Sequence, residues 1–319
     1  MKILYICDPI DKLNPQKDST VFLIEKAWER GYETSVCTIN ELSVVSSSKN
    51  PSVYAKTNLI SRVSDNYRWC RANHLETKNL TEFDIVFIRT DPPFDEKYST
   101  ASLMLQIAEK NGVKVFNSPQ ALVNHNEKLS TLDFHHYIPP TLVSSEKSEL
   151  YDFTKSFKKI VFKPLNEMGG SGVFVVERSD PNIPAIIETL TKKSSTKIIV
   201  QKFLPEIQDG DKRVLILNGE IVECCLTRTP KKGSYIGNLA AGGHASIKPL
   251  TTTDRQIALK VSETLAPVGF FILGLDIIGK NLTEINVTSP TGFREINNLS
   301  EINIGEIFYN QVNNVLGKT

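Results

Sequence analysis

The chain has 319 residues, 40% hydrophobic and 23% charged, enough to bury a substantial core and to fold as two or three domains. Lysine and arginine number 37 against 36 acidic residues, and a net charge of +1 gives no basic field for a nucleic-acid or membrane-surface partner. No apolar run approaches membrane-spanning length, so a phosphorylated small molecule in a local basic pocket is the charged ligand class left open.

The first third alternates strand and helix patterns. Lys2–Cys7 predicts a buried strand, and the opening MKILYIC is too short, and too soon followed by Asp8, for a secretory signal. Ser19 is placed as the N-cap of a helix with Val21, Ile24, Ala27 and Trp28 on one face, stopped at Gly31. Tyr32–Ile39 is the next strand. Residues 43–80 are Ser/Asn-rich and weakly patterned, which predicts a loop with room for one short helix. Asp84–Arg89 predicts a strand, Tyr98–Asn111 a helix ending at Gly112, and Val113–Asn117 a strand. This order predicts a doubly wound parallel sheet. Polar segments follow its strands at Asp8-Pro9-Ile10, at Arg89 to Asp95 (RTDPPFD) and at Asn117-Ser118-Pro119, where open α/β sheets bind ligands. Asp and Pro also mark ordinary turns, but Arg89 leaving a buried strand is harder to assign to a turn.

From about residue 124 the pattern changes to α+β with antiparallel sheets. Strands are predicted at Thr141–Ser144, Ile160–Pro164, Gly172–Glu177, Lys197–Leu204, Lys212–Leu217 and Glu220–Arg228. Helices are predicted at Lys147–Phe157, Pro184–Lys193, Thr253–Leu265 and Ile302–Val315, and Asn218-Gly219 is a hairpin turn. Phe271–Ile278 and Leu282–Thr288 flank Gly279-Lys280-Asn281. With those three residues as the loop, Asp276 falls opposite Glu284, and the strand period puts Asn286 on the same face. Two carboxylates and an amide oxygen are hard ligands of the kind Mg²⁺ accepts, with substrate phosphates completing its shell. The alternative is a hairpin with a polar outer face. Asp276 inside a nearly continuous apolar run, where an unpaired carboxylate is costly, favours the site.

Lys163 sits in an apolar strand ahead of Asn166-Glu167-Met168-Gly169-Gly170-Ser171-Gly172, a turn whose backbone N–H groups could approach phosphate. It lacks the GK[ST] of a Walker A loop and the GxGxxG of a dinucleotide fold, and a flexible hairpin is its simpler reading. Lys128, Arg213 and Arg228 stand at strand ends. Gln201-Lys202-Phe203-Leu204 ends a strand whose backbone could meet an adenine edge. Gly233 to Gly243 (GSYIGNLAAGG) has the composition of a mobile lid or of a surface loop. His135-His136 has no carboxylate or cysteine at ligand spacing. The five cysteines form no CxxC or Cys/His pattern, and adjacent Cys224 and Cys225 point to opposite strand faces; this usage fits a reducing cytoplasm. No nucleophile elbow or Cys/His arrangement for covalent catalysis is present.

In order along nearly the whole chain, DPI (8–10), KDS (17–19), DPPFD (91–95), NEK (126–128), KPLNEMGGSG (163–172), GDKRV (210–214), GNLAAGG (237–243), GLDIIG (274–279) and TEINVTSPTG-REI (283–296) resemble the ATP-grasp ligases, narrowing to bacterial-type glutathione synthetases. Coverage is weakest over residues 43–80. The resemblance implies an amino-terminal α/β domain over 1–123, an ATP-grasp central or lid subdomain over 124–204, and a catalytic subdomain over 205–319 with a mobile loop at 229–244. It implies Lys128, Lys163, Gly169, Gly170, Ser171, Gln201, Lys202, Phe203, Leu204 and Asp211 at the nucleotide, and Arg213 and Arg228 as catalytic residues facing the transferring phosphoryl group. Asp276, Glu284 and Asn286 would hold Mg²⁺, or Mn²⁺ in its place. Arg89, Asn238, Gly242, Ser289, Pro290, Thr291 and Arg294 would bind the peptide substrate. The implied reaction joins γ-glutamylcysteine to glycine through an acyl phosphate, with ATP giving ADP and phosphate, in a cytoplasmic homotetramer. The alternatives are a ligase of the same fold acting on a different γ-glutamyl or peptide substrate, and a catalytically impaired nucleotide-binding paralogue. Ile236 motivates the last, because many relatives carry arginine there; a basic residue often stands in place of His244 as well.

Overall fold

The computed structural model describes residues 1–46, 50–63, 68–235, 237, 239 and 242–317. The amino-terminal sheet contains β1 (Lys2–Cys7), β2 (Glu33–Cys37), β3 (Leu42–Val45), β4 (Ser52–Arg62), β5 (Cys70–Asn79), β6 (Ile85–Arg89) and β7 (Val115–Phe116), in the order β3-β4-β2-β1-β6-β7 with β5 also paired to β4. Strands β2, β1, β6 and β7 are parallel, as the strand–helix alternation predicts. Their central members are apolar throughout because both faces are covered. One of the covering helices, α1 (Ser19–Glu29), is capped one residue earlier than expected: the Asp18 carboxylate, rather than Ser19, accepts from the Thr20 and Val21 N–H groups at 2.7 and 3.0 Å.

The loop expected over residues 43–80 is instead three antiparallel strands. Strand β4 does alternate, but through Val53, Ala55 and Thr57 rather than large apolar residues. Strand β5 is an outer strand exposed along most of its length, so it carries no buried face for the sequence to display.

After α2 (Glu96–Lys110) and α3 (Pro119–Asn124), a four-stranded antiparallel sheet is built from β8 (Thr141–Ser144), β9 (Lys159–Pro164), β10 (Phe174–Glu177) and β11 (Ile198–Lys202), in the order β10-β9-β11-β8. Helices α4 (Lys147–Lys155) and α5 (Ile183–Leu190) cover one side, where Leu150, Ile160, Phe162, Ile187 and Val200 form a separate small core. Lys163 and Gln201 stand on alternate positions of β9 and β11, facing away from that core.

The third sheet runs β14-β13-β12-β15-β16, from β12 (Asp211–Leu217), β13 (Glu220–Thr229), β14 (His244–Pro249), β15 (Ile272–Ile278) and β16 (Asn281–Asn286). Helix α6 (Thr252–Leu265) packs on it, followed by α7 (Phe293–Leu299) and α8 (Ile304–Leu316). Its core is continuous with that of the amino-terminal sheet: Val214, Leu273 and Ile285 cluster with Leu4, Val86 and Val115. Asn117 fastens the two, donating to the Ile272 and Val287 carbonyls at 2.8 and 2.6 Å and accepting from the Ile272 N–H at 2.7 Å.

Asp254 on α6 anchors the turn of the β15–β16 hairpin from behind. Its carboxylate is fully buried, accepts the Thr251 N–H in a capping box, and pairs with Lys212, which also donates to the Gly279 carbonyl at 3.0 Å. Removing one partner strands the other charge, so Asp254→Ala is expected to destabilise the protein by about 3 kcal/mol. Urea unfolding checks this against Thr251→Ala, which removes only the cap and is expected to cost about 1 kcal/mol.

Candidate functional site

One face of the carboxy-terminal sheet carries a run of charges set by strand register. Arg228 is paired across the ladder with Asp211, Arg213 with Asp276, and Asp276 with Glu284. The last pairing arises differently from the expected three-residue loop. The connection is the two residues Gly279-Lys280, with Ile278 opposite Asn281, and a bulge between the Asp276 and Ile277 pairs restores the facing of Asp276 and Glu284. Thr283 sits in that bulge, its hydroxyl donating to the Asp276 carbonyl at 3.1 Å. Gly274 clears the space beside it: a Cβ there would meet Pro290 at 3.1 Å and the Arg213 side chain at 3.2 Å.

The buried side chains pair closely. Arg213 grips Asp276 with two nitrogens, Nε to Oδ1 at 2.6 Å and Nη2 to Oδ2 at 3.1 Å. Arg228 bridges Asp211 and Asp276, the latter at 2.9 Å. Burial alone would raise the Asp276 carboxyl, yet Arg213 and Arg228 hold it well below the usual carboxylate range, so it is ionised. Burial pushes Asp211 up to about 6 despite Arg228. Lys128 Nζ reaches Glu284 at 2.9 Å and the Glu167 carbonyl at 2.7 Å, while Lys163 Nζ donates to Gln201 at 2.9 Å. Burial lowers the Lys163 ammonium; Glu284 opposes that shift and Lys128 adds to it.

These residues line two adjoining cavities. The first is enclosed by Lys128, Lys163, the 167–171 turn, Gln201 to Leu204, Asp211, Asp276 and Glu284. It thus brings together all ten residues expected at a nucleotide and two of the three expected at a metal. The second, about 280 Å³, is lined by Arg213, Arg228, Asn286, Ser289, Thr291 and others, and shares Met168 and Gly169 with the first. Arg89 is fully buried beside it, Nε donating to Thr20 at 3.2 Å and Nη2 to the Pro290 carbonyl at 3.0 Å. Arg89 Nη1, Arg228 Nε, Asp211 Oδ1 and Glu295 Oε2 are buried without a partner among the described residues, as expected of groups arranged for a ligand.

Asp276, Glu284 and Asn286 fit a hard divalent cation. Asn286 Nδ2 donates to the Gly274 carbonyl at 3.1 Å and to Asp276 Oδ2 at 3.3 Å, which turns its Oδ1 the other way. No group of three or more His, Cys, Asp or Glu side chains forms a metal cluster among the described residues. The set of two carboxylates and one amide suits an ion that takes its remaining ligands from phosphate and water.

Some expected residues lie elsewhere. Arg294 turns to α1, pairing with Glu25 at 2.8 Å and stacking over Phe22, so it does not reach the second cavity. Gly242 packs against Lys231 within the 229–244 loop rather than at either cavity. Asn238 and Ile236 lie outside the described residues; His244 opens β14 opposite Thr229.

The sequence reading also missed residues. Glu127 Oε1 accepts from the Val287 and Thr288 N–H groups at 2.9 and 3.1 Å and from the Thr288 hydroxyl at 2.9 Å, tying the segment that carries Lys128 to the end of β16. Its place in NEK beside Lys128 was the available signal. Tyr235 lines the first cavity, its ring edge-on to Phe203 at 5.0 Å, with Lys159 over both rings and 3.2 Å from its hydroxyl. A loop tyrosine has no periodicity to reveal it. Tyr235→Ala is expected to weaken a ligand seated in this cavity by about tenfold, the value of one aromatic and one cation–π contact, and a binding titration beside Tyr235→Phe, which keeps the ring, checks this.

A model of the prokaryotic glutathione synthetase N-terminal domain matches residues 1–122, and one of the prokaryotic glutathione synthetase ATP-grasp domain matches residues 127–301. The chain is 41% identical over 312 residues to a glutathione synthetase of Neisseria meningitidis serogroup B, covering 98% of each chain. It is 41% identical over 297 residues to that of Escherichia coli O127:H6, covering 93% of this chain and 92% of the other. Among solved structures it is similar in fold to a D-cycloserine synthetase, at TM-score 0.67 and 13% identity over 98% of this chain and 99% of the other. It is also similar to a D-alanyl-alanine synthetase A of Vibrio cholerae, at TM-score 0.61 and 14% identity over 99% and 98%.

Proposed function

This chain belongs to the prokaryotic glutathione synthetase family, and from that membership we infer how its two cavities divide the chemistry of an ATP-dependent ligase that forms glutathione. ATP occupies the cavity around Lys128, Lys163 and Gln201 to Leu204. The peptide carboxylate and the amine meet in the cavity around Arg213, Arg228 and Ser289. The observation that carries this division is the charge ladder between them: Asp276 is held by Arg213 and Arg228 and faces Glu284, which is held by Lys128.

A carboxylate is a poor electrophile with no good leaving group, so ATP first phosphorylates the cysteinyl carboxylate of γ-glutamylcysteine. Glycine then displaces phosphate from the acyl phosphate. Bringing two anions together requires fixed positive charge at the point of transfer. Arg213 and Arg228 supply it from below, already oriented by Asp276 and Asp211, while Lys128 and Lys163 hold the phosphates. Asp276, Glu284 and Asn286 would hold Mg²⁺, or Mn²⁺, which neutralises phosphate charge when bound. Arg89 fixes the Ser289-Pro290-Thr291 turn against which the peptide lies. No side-chain nucleophile is required.

The reading extends to a division at residues 1–123, 124–204 and 205–319, the 229–244 loop covering the site, and to a cytoplasmic homotetramer that takes small-molecule substrates. The five cysteines, all free and buried, suit a reducing compartment. No helix among the described residues is long and apolar enough to cross a membrane. An omission series tests the chemistry: ADP and glutathione should accumulate together only when ATP, Mg²⁺, γ-glutamylcysteine and glycine are all present. Faster product formation with another amine acceptor than with glycine would contradict the substrate assignment.

A further inference from the structure

The ligase reading leaves one proton unassigned. Glycine arrives as an ammonium, which has no lone pair, and must become an amine before it attacks. Three carboxylates line the cavity that holds Arg213 and Arg228: Asp91, Glu127 and Glu295. Glu127 is fixed through Oε1 by the backbone and hydroxyl of residues 287–288. Burial raises Asp91 as well, but Ser289 and Arg89 oppose that shift. Asp276 and Asp211, on the sheet beside it, are paired with arginines. Glu295 differs from these last two in having neither carboxylate oxygen in an ion pair among the described residues: its Oε2 is buried without a partner, as Asp211 Oδ1 is, but no arginine holds its other oxygen as Arg228 holds that of Asp211. Burial raises its carboxyl above the ordinary range, against its own backbone N–H and Arg294, Arg213 and Arg228, and so makes it a stronger proton acceptor.

We propose, building on the ligase reading, that Glu295 binds the ammonium of the incoming amine and takes its proton as the amine attacks. The proton passes from the glycine nitrogen to the Glu295 carboxylate, freeing the nitrogen lone pair. That pair forms the C–N bond at the carbonyl carbon of the acyl phosphate, and the C–O bond to phosphate breaks with its electrons on phosphate. The second amine proton leaves with the phosphate, and Glu295 returns its proton to solvent. No oxidant or further reactant is needed.

Hydroxylamine separates this role from a structural one, because it is a weakly basic amine, uncharged at neutral pH, and needs no base to attack an acyl phosphate. Purified enzyme with ATP, Mg²⁺ and γ-glutamylcysteine is given either glycine or hydroxylamine, and amide or hydroxamate is measured. In Glu295→Gln, ligation of glycine should fall by about 10²–10⁴-fold, while hydroxamate forms at the wild-type rate. Glu295→Asp, which keeps a base but draws it back, should show a smaller loss with glycine and none with hydroxylamine. Equal losses with both nucleophiles, or a raised KM for γ-glutamylcysteine with no loss specific to glycine, would overturn the assignment. Wild-type enzyme forming neither product would instead overturn the ligase reading beneath it.

Discussion

Replacing Arg228 with methionine is expected to lower the turnover of glutathione formation by about 10³-fold. The guanidinium is buried, pairs with Asp211 and Asp276, and leaves Nε without a partner among the described residues. Its removal deletes a fixed positive charge where the proposed mechanism transfers the phosphoryl group. It also leaves Asp211 without its arginine, and breaking a buried pair in this way is expected to cost about 3–5 kcal/mol of stability. Urea unfolding and turnover at matched folded fraction separate the two effects. Arg228→Lys is the sharper comparison, since an ammonium keeps the charge but cannot bridge two carboxylates with one planar fork. It should recover most of the stability and little of the turnover. Turnover near the wild-type rate in either variant would remove Arg228 from the transfer step.

Glu284→Gln is expected to reduce turnover by about 10²–10³-fold and to raise the Mg²⁺ concentration needed for half-maximal rate. The amide is the same size and stays within reach of Lys128, so the hairpin should remain intact. What is lost is the charge that, with Asp276, would neutralise a divalent cation on the phosphates. A titration of rate against Mg²⁺ at saturating ATP reads this directly. A variant with full turnover and an unchanged Mg²⁺ requirement would dismiss Glu284 as a ligand.

The charged face of the carboxy-terminal sheet was legible because it breaks an apolar pattern. Asp276 stands in a run whose neighbours Leu275 and Ile277 are wholly buried, and a carboxylate there needs partners, which Arg213 and Arg228 provide. The bulge at Thr283 was not legible, because strand alternation gives faces but does not count an extra residue. Two departures, a shorter turn and a bulge, cancelled to leave Asp276 facing Glu284. Strands β4 and β5 stayed hidden because one breaks its alternation between Leu59 and Ile60 and the other buries almost nothing. Arg294 and Glu295 show the remaining limit. They are adjacent on α7, yet Arg294 is drawn to Glu25 and Phe22 on α1 while Glu295 lines the cavity. Which neighbour on a short helix faces the site depends on packing between elements distant in sequence.

The central claim is that this ladder of charges transfers a phosphoryl group to a carboxylate before the amine attacks. An isotope experiment tests it most directly: γ-glutamylcysteine labelled with heavy oxygen in its cysteinyl carboxylate, turned over with ATP, Mg²⁺ and glycine. The account predicts that an oxygen of that carboxylate appears in the released inorganic phosphate. Phosphate that carries no substrate oxygen, and takes its new oxygen from water instead, would contradict it.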